Sequence, residues 1–143
     1  MAQRSRAREV ALQILFEDDV NPRATAKELQ AFVESRIIQP DVREFCLSLI
    51  LGVRRNQDEI DAALTKIAEN WSLKRMASTD RNVMRLGAYE ILYGDTPFRV
   101  AINEAVELAK RFGSAHSAQF VNGILDKLPR KEEVRGERIE KRE

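Results

Sequence analysis

Three observations on the sequence predict an all-α fold. Apolar residues recur at intervals of three and four along almost the whole chain, which is the spacing of an amphipathic helix. No stretch alternates polar and apolar residues over the length of a strand. The chain has 143 residues, 43% of them apolar, enough for one sizeable core but short for two ordinary domains. We therefore expect one domain over residues 1–129 and a charged, disordered tail over residues 130–143.

The first predicted helix covers residues 4–16, RSRAREVALQILF. Its apolar face carries five residues that should meet the core: Ala7, Val10, Ala11, Ile14 and Leu15. Its first turn carries Arg4, Arg6 and Arg8, where the helix dipole favours acids by roughly 0.3–1 kcal/mol each. Two interpretations are open at this point: the arginines keep a fraying terminus soluble, or they bind phosphate groups of a nucleic acid.

The next three helices are predicted from capping signals and chain breaks. Thr25 followed by Glu28 has the spacing of a capping box and predicts a short second helix. Pro40 interrupts the chain before a third helix that is expected to run to about Arg55. Asn56 is predicted to cap a fourth helix, which ends near residue 71.

The segment 81–94 is apolar on more than one face, which predicts the central helix of the fold. Gly87 lies in its middle and lowers helix stability relative to alanine. A close crossing with another helix is the expected compensation.

The last two helices follow a turn over residues 95–100, which contains Pro97. A sixth helix is predicted over residues 101–112, where Gly113 stops it. Ser114 is predicted to cap the seventh helix, which should end at Pro129.

Composition excludes several classes of function. The 24 Lys and Arg against 23 Asp and Glu give a net charge of +1, so a nucleic-acid site would have to be local. Cys46 and His116 are the only cysteine and histidine, which excludes a disulfide and a Cys/His metal site. Cys46 lies in an apolar stripe and is interpreted as a small core residue. His116 has no nucleophile elbow or phosphate loop beside it, so we expect neither an enzyme nor a cofactor. The absence of a signal peptide or membrane span predicts a cytoplasmic protein.

Five short motifs occur in order along the chain: Arg6-Ala7-Arg8-Glu9 with Ala11-Leu12-Gln13, Asn70-Trp71, Arg85-Leu86 with Tyr89-Glu90, Ala101-Ile102-Asn103-Glu104-Ala105, and Phe120-Val121-Asn122-Gly123. With these motifs, residues 4–128 closely resemble the NusB family of bacterial transcription antitermination factors. The resemblance implies about seven helices in two small helical bundles. It also implies a protein that binds single-stranded boxA-type RNA as a heterodimer with the ribosomal protein NusE. Within the RNA polymerase antitermination complex, such proteins promote read-through in ribosomal RNA operons.

The resemblance also implies positions for the binding residues. The RNA surface would consist of Arg4, Arg6, Arg8, Gln13, Phe16, Ser117, Gln119, Phe120 and Asn122. His116, where this chain departs from its relatives, is expected to lie beside the same phosphate path. The NusE surface would include Asp80, Arg81 and Arg85. Phe120 has a second interpretation as a core residue, and His116 could simply point into solvent. Many relatives carry acidic residues where this chain has Ala115 and His116. Asn103 and Glu104 belong to another of the family motifs, and we expect them to make internal hydrogen bonds.

Two other functions compete with this one. The chain could be a free-standing RNA-binding module similar to the helper domain of ribosomal RNA cytosine methyltransferases. Those enzymes need an α/β domain with a glycine-rich cofactor loop, and no such loop occurs here. The chain could also be a helical interaction protein that forms a homodimer, which light scattering would detect.

Overall fold

The computed structural model describes residues 2–68 and 72–130, and these residues form helices and connecting turns without a strand. The α-helices are α1 (Ala2–Asp18), α2 (Ala26–Arg36), α3 (Pro40–Ile67), α4 (Ser78–Leu92), α5 (Phe98–Phe112) and α6 (Ser117–Leu125), and a 3-10 turn spans Leu73–Arg75. The Asn70-Trp71 motif and residues 131–143 of the predicted tail lie outside the described residues. No described helix is long and apolar enough to cross a membrane.

The helices form two groups around a shared apolar core. In the first group α3 packs against α1 and α2, and in the second α5 packs against α4 and α6. Helix α4 also contacts α1 and α3, and so joins the groups. The predicted apolar face of α1 is confirmed, since each of its five residues is at most 5% exposed. This arrangement agrees with the two helical bundles that the resemblance to the NusB family implies.

The capping box of α2 is confirmed. The Thr25 hydroxyl oxygen accepts a hydrogen bond from the backbone N–H of Glu28, and the Glu28 carboxylate accepts one from the backbone N–H of Thr25. These two bonds satisfy donors that the helix start would otherwise leave unpaired.

The predicted break at Asn56 is wrong, because α3 is one continuous helix of 28 residues. The Asn56 side chain donates to the carbonyl oxygen of Gly52 at 2.8 Å, one turn earlier in the same helix. No glycine or proline lies between residues 53 and 67, and the buried residues Val53, Ile60 and Leu64 continue one helical stripe. The described chain therefore has six α-helices where the sequence predicts about seven.

Helix α4 is the central helix, as predicted, and all residues from 82 to 88 are buried. A Cβ atom on Gly87 would lie 2.6 Å from Cδ1 of Leu125 and 3.2 Å from Cβ of Ala105. Gly87 therefore allows α5 and α6 to approach α4 closely, which confirms the expected crossing.

Three predicted boundaries of the C-terminal helices are wrong. Helix α5 begins directly after Pro97, so residues 98–100 form its first turn. His116 and not Ser114 occupies the N-cap of α6, because residues 114–117 form a turn. In this turn Ser114 donates its backbone N–H to the Ser117 hydroxyl at 2.8 Å. The helix ends at Leu125, four residues before Pro129.

Candidate nucleic-acid interface

Arg8 lies inside the protein and not on its surface, with an exposed fraction of 2%. Its Nη2 donates to Oε1 of Glu90 at 2.8 Å, and its Nε donates to Oε2 of the same carboxylate at 2.9 Å. Glu90 is also 2% exposed and accepts a third hydrogen bond, from the Thr96 hydroxyl at 2.7 Å. This placement corrects the expectation that Arg8 contacts phosphate, because its charge is already paired and shielded from solvent.

Other residues near the start of α1 also have intramolecular contacts. The Ser5 hydroxyl donates to the Glu104 carboxylate at 3.0 Å, and Nη1 of Arg8 lies 3.6 Å from that carboxylate, so the expected internal role of Glu104 is confirmed. The Arg4 guanidinium lies over the Phe45 ring, 4.3 Å from its centre. The arginines Arg4 and Arg8 at the positive end of the helix therefore both have partners within the protein.

Arg6 remains on the surface, where it borders a groove of about 290 Å³ between α1, the start of α4 and the end of α5. Its side chain is 52% exposed, and its Nη1 lies 3.2 Å from the Glu9 carboxylate. Glu9 also pairs with Arg111. The groove is lined by Arg6, Glu9, Leu12, Gln13, Phe16, Thr79 and Phe112.

A second groove of about 390 Å³ lies between the start of α4 and the start of α6. It contains four of the predicted RNA-contacting residues: His116, Ser117, Gln119 and Phe120. His116 and Gln119 are exposed, whereas Phe120 is half-buried against the core. Ser117 is only 2% exposed and accepts a hydrogen bond from Ser114, which corrects its predicted role as an RNA contact.

The two grooves adjoin. Thr79 lines the first and its neighbour Asp80 lines the second. Likewise, Phe112 lines the first groove and Ser114 the second. The fold thus joins the surface residues of α1 to the start of α6 in one continuous surface. Arg4 and Asn122 are exposed but line neither groove.

This surface carries the groups that a polar ligand with planar rings requires. Arg6 offers charged donors, which suit phosphate oxygens. Gln13 and Gln119 offer amide donors and acceptors, which can bind base edges. Phe16 is 41% exposed, so its ring has a free face on which a base can stack. Glu9 and Asp80 are acidic residues on this surface, and none of the described residues hydrogen-bonds to the buried Oδ1 of Asp80.

Two residues predicted to contact a protein partner are paired within the chain. Arg81 donates to the Asp19 carboxylate at 2.8 Å. Arg85, whose side chain is 8% exposed, donates to both oxygens of Asp61 at 2.8 Å. Burial opposes the charged form of Asp19, but hydrogen bonds from Arg81, Asn82 and Ser78 outweigh it and lower the pKa of Asp19 to about 2. Both arginines therefore stabilise the contact between α1, α3 and α4, and their role in partner binding stays a prediction.

The sequence patterns do not identify Phe112 or Arg111 as residues of this surface. Leu108 and Ala109, one turn before Phe112, are buried, so helical periodicity places Phe112 in the core. The ring is nevertheless 47% exposed, because α5 ends at that residue. Arg111 is 58% exposed at the same helix end. Finding both residues required knowing that the end of α5 lies beside α1.

The described residues contain no cluster of His, Cys, Asp and Glu side chains that could hold a metal ion. Cys46 is fully buried, as its position in an apolar stripe predicts, and burial raises the pKa of its thiol to about 12. A neutral buried thiol has no part in surface chemistry.

Comparison with known proteins identifies relatives over nearly the whole described chain. The model of the NusB family matches residues 5–130. The transcription antitermination protein NusB of Desulfatibacillum aliphaticivorans is 45% identical over 129 residues, which cover 90% of each chain. That of Myxococcus xanthus is 44% identical over 133 residues, covering 90% of this chain and 95% of the relative.

Two solved structures are similar in fold. The NusB of T. maritima has a TM-score of 0.79 at 34% identity, covering 92% of this chain and 96% of that one. A chain from a crystal structure of antitermination factors NusB and NusE with double-stranded RNA has a TM-score of 0.78 at 26% identity, covering 88% and 95%.

Proposed function

The chain belongs to the NusB family, and we propose that it is a transcription antitermination factor that binds single-stranded boxA-type RNA as a heterodimer with NusE. In this role it acts in the cytoplasm as part of the RNA polymerase antitermination complex and promotes read-through in ribosomal RNA operons. Its relatives are antitermination proteins and not enzymes, and the proposed role contains no catalytic step.

The observation that carries this proposal is the continuous surface made by the two grooves. Arg6, Gln13 and Phe16 come from the start of the chain, and His116, Gln119 and Phe120 come from near its end. Phosphate binding by Arg6 would give affinity, and the amides and rings would contact the bases. The net charge of +1 provides little long-range attraction, so these local contacts have to supply the binding.

The exposed ring of Phe16 favours a single-stranded ligand. Bases in a duplex already stack on their neighbours and present only their edges in the grooves, whereas unpaired bases can stack on aromatic side chains. The similar structure of NusB with NusE contains double-stranded RNA, so the strandedness of the ligand is itself a point to test.

The test is a titration of the protein with a labelled boxA-type RNA, a scrambled single strand and the boxA-type duplex. We expect the boxA-type single strand to bind most tightly, and equal binding of all three would contradict the proposal. Arg6→Glu should weaken binding strongly without changing the circular dichroism spectrum. Arg36→Glu is the matched control, because Arg36 is also exposed but lies on α2, away from both grooves.

The NusE part of the proposal is tested by adding NusE to the same titration. If the two ligands bind cooperatively, NusE raises the RNA affinity by some factor, and RNA raises the NusE affinity by the same factor. An RNA dissociation constant that NusE leaves unchanged would contradict the heterodimer mechanism. Light scattering of the free protein would detect the alternative, a homodimer that covers the grooves.

A further inference from the structure

Two of the six phenylalanines differ from the rest in their surroundings. Phe32, Phe45, Phe98 and Phe120 pack against the apolar core. Phe16 and Phe112 do not belong to that packing, and they are 41% and 47% exposed. Both line the same groove between α1 and α5. Single exposed apolar residues are common on protein surfaces, but two exposed aromatic rings in one groove form a surface suited to a planar ligand.

The charges around this groove favour an anionic ligand. Arg6 lines the groove, Arg111 lies beside it, and both pair with the single carboxylate of Glu9. Two guanidinium groups and one carboxylate leave one positive charge at the groove. The Arg111 guanidinium also lies 5.3 Å from the centre of the Phe112 ring, and a planar guanidinium is itself a surface on which a base can stack.

The size of the groove limits the ligand. Its volume of about 290 Å³ lies at the lower end of the range for small-molecule pockets. A groove of this size suits one planar group better than a protein helix, which would need a longer apolar surface. The polar atoms of Gln13 and Thr79 line the same walls and could bind the edge of such a group.

We propose that this groove is a subsite for one unpaired RNA base, which stacks on Phe112, while Arg111 and Arg6 bind the adjacent phosphates. This inference rests on the proposed function and extends it to Phe112 and Arg111. Glu9 pairs with both guanidinium groups and so keeps them beside the groove, where they can bind the phosphates next to the stacked base.

The experiment measures the affinity of boxA-type RNA for the parent protein, Phe112→Leu and Phe112→Trp. Leucine keeps an apolar side chain but removes the ring, and we expect a loss of about 5- to 100-fold in affinity, as for other stacked bases. Tryptophan keeps a stacking surface and should retain the parent affinity. Ile38→Ala is the control, because Ile38 is 84% exposed on the segment after α2 and lines neither groove.

RNA that lacks a single base identifies the partner of Phe112. At one position of the RNA, removing the base should abolish the difference in RNA affinity between the parent and Phe112→Leu. Without that base there is no stacking interaction for the substitution to remove. Arg111→Gln should lower the salt dependence of binding by about 0.7 in the logarithmic slope.

The outcomes separate this inference from the proposed function. If the parent protein does not bind the RNA, the proposed function is wrong. If the parent binds and Phe112→Leu binds equally well, or no position of the RNA shows the loss of additivity, the base subsite is wrong. A variant that loses NusE binding but keeps RNA binding would assign the groove to the protein partner and would also overturn the inference.

Discussion

The carboxylate of Glu90 accepts hydrogen bonds from both Nε and Nη2 of Arg8, at 2.9 and 2.8 Å, in the interior of the protein. Glu90 lies near the end of α4 and Arg8 in the second turn of α1. The pair thereby fixes the start of α1 against the central helix. An arginine near the positive end of a helix is explained here by a buried partner within the chain.

Removing one member of this pair should strongly destabilise the protein. Arg8→Met leaves the Glu90 carboxylate buried without its partner, and we expect a loss of about 3–5 kcal/mol in the free energy of unfolding. The double variant Arg8→Met with Glu90→Leu removes both charges and should recover most of that loss. Denaturant unfolding of the single and double variants measures this, and Arg6→Met is a control that should change stability little. Additive losses in the double variant would contradict the pairing argument.

The sequence contained a signal for the burial of Arg8, in the spacing of its neighbours. Ala11, Leu12 and Leu15 follow it by three, four and seven residues, and all are buried, so Arg8 shares their side of α1. Glu90 lies in α4, which the sequence predicts to be apolar on more than one face and which is buried over much of its length. A positive residue on one buried helix face and a negative residue on another predict an internal ion pair. Which two residues form the pair depends on how α1 and α4 pack.

The helices and their apolar faces could be predicted because periodicity and capping are local properties. The capping box at Thr25 and the close crossing at Gly87 were found in this way. The end of a helix is harder to predict where no glycine or proline marks it, as at Asn56, whose side chain bonds within α3. The grooves could be predicted only in part, because Arg6 and Phe112 come together only when α1 and α5 both pack against α4.

Gly87 and Gly123 should respond in opposite ways to substitution by alanine. A Cβ at Gly87 would lie 2.6 Å from Leu125, so Gly87→Ala forces the helices apart and should cost about 1–3 kcal/mol. A Cβ at Gly123 meets no atom within 4 Å, and Gly123→Ala in α6 should stabilise the protein by about 0.5–1 kcal/mol. Thermal unfolding of the two variants provides the comparison. A neutral Gly87→Ala would show that α4 and α6 can move apart without cost.

The ion pairs of Asp19 predict a loss of stability in acid. The pKa of Asp19 is lowered from 3.8 to about 2 in the folded protein. The contribution of ionised Asp19 to the free energy of unfolding is therefore fully present above pH 4 and is lost as the pH falls from about 4 to 2. Because the carboxylate is partly exposed to solvent, we expect a contribution of about 1 kcal/mol. Unfolding measured at pH 6 and pH 2 should show a smaller fall for Asp19→Asn than for the parent, and equal falls would contradict this assignment.

The last prediction concerns His116, which stands at the N-cap of α6 and lines the second groove together with Asp80. An aspartate at position 116 would place a second carboxylate near Asp80 and would repel RNA phosphates. We expect His116→Asp to weaken RNA binding by about 0.5–1 kcal/mol, the magnitude of an exposed charge.

The effect of His116→Asp on the stability of the protein should have the opposite sign. The backbone of residue 116 has φ −102° and ψ −2°, outside the extended conformation of a usual N-cap, so the aspartate would stabilise α6 only through the helix dipole, by roughly 0.3–1 kcal/mol. Asn21→Asp adds the same charge in an exposed turn that lines neither groove, and it should leave RNA affinity unchanged. Affinity and melting temperature are measured for both variants at low and moderate salt. Unchanged affinity of His116→Asp at low salt, where repulsion is least screened, would remove His116 from the RNA surface.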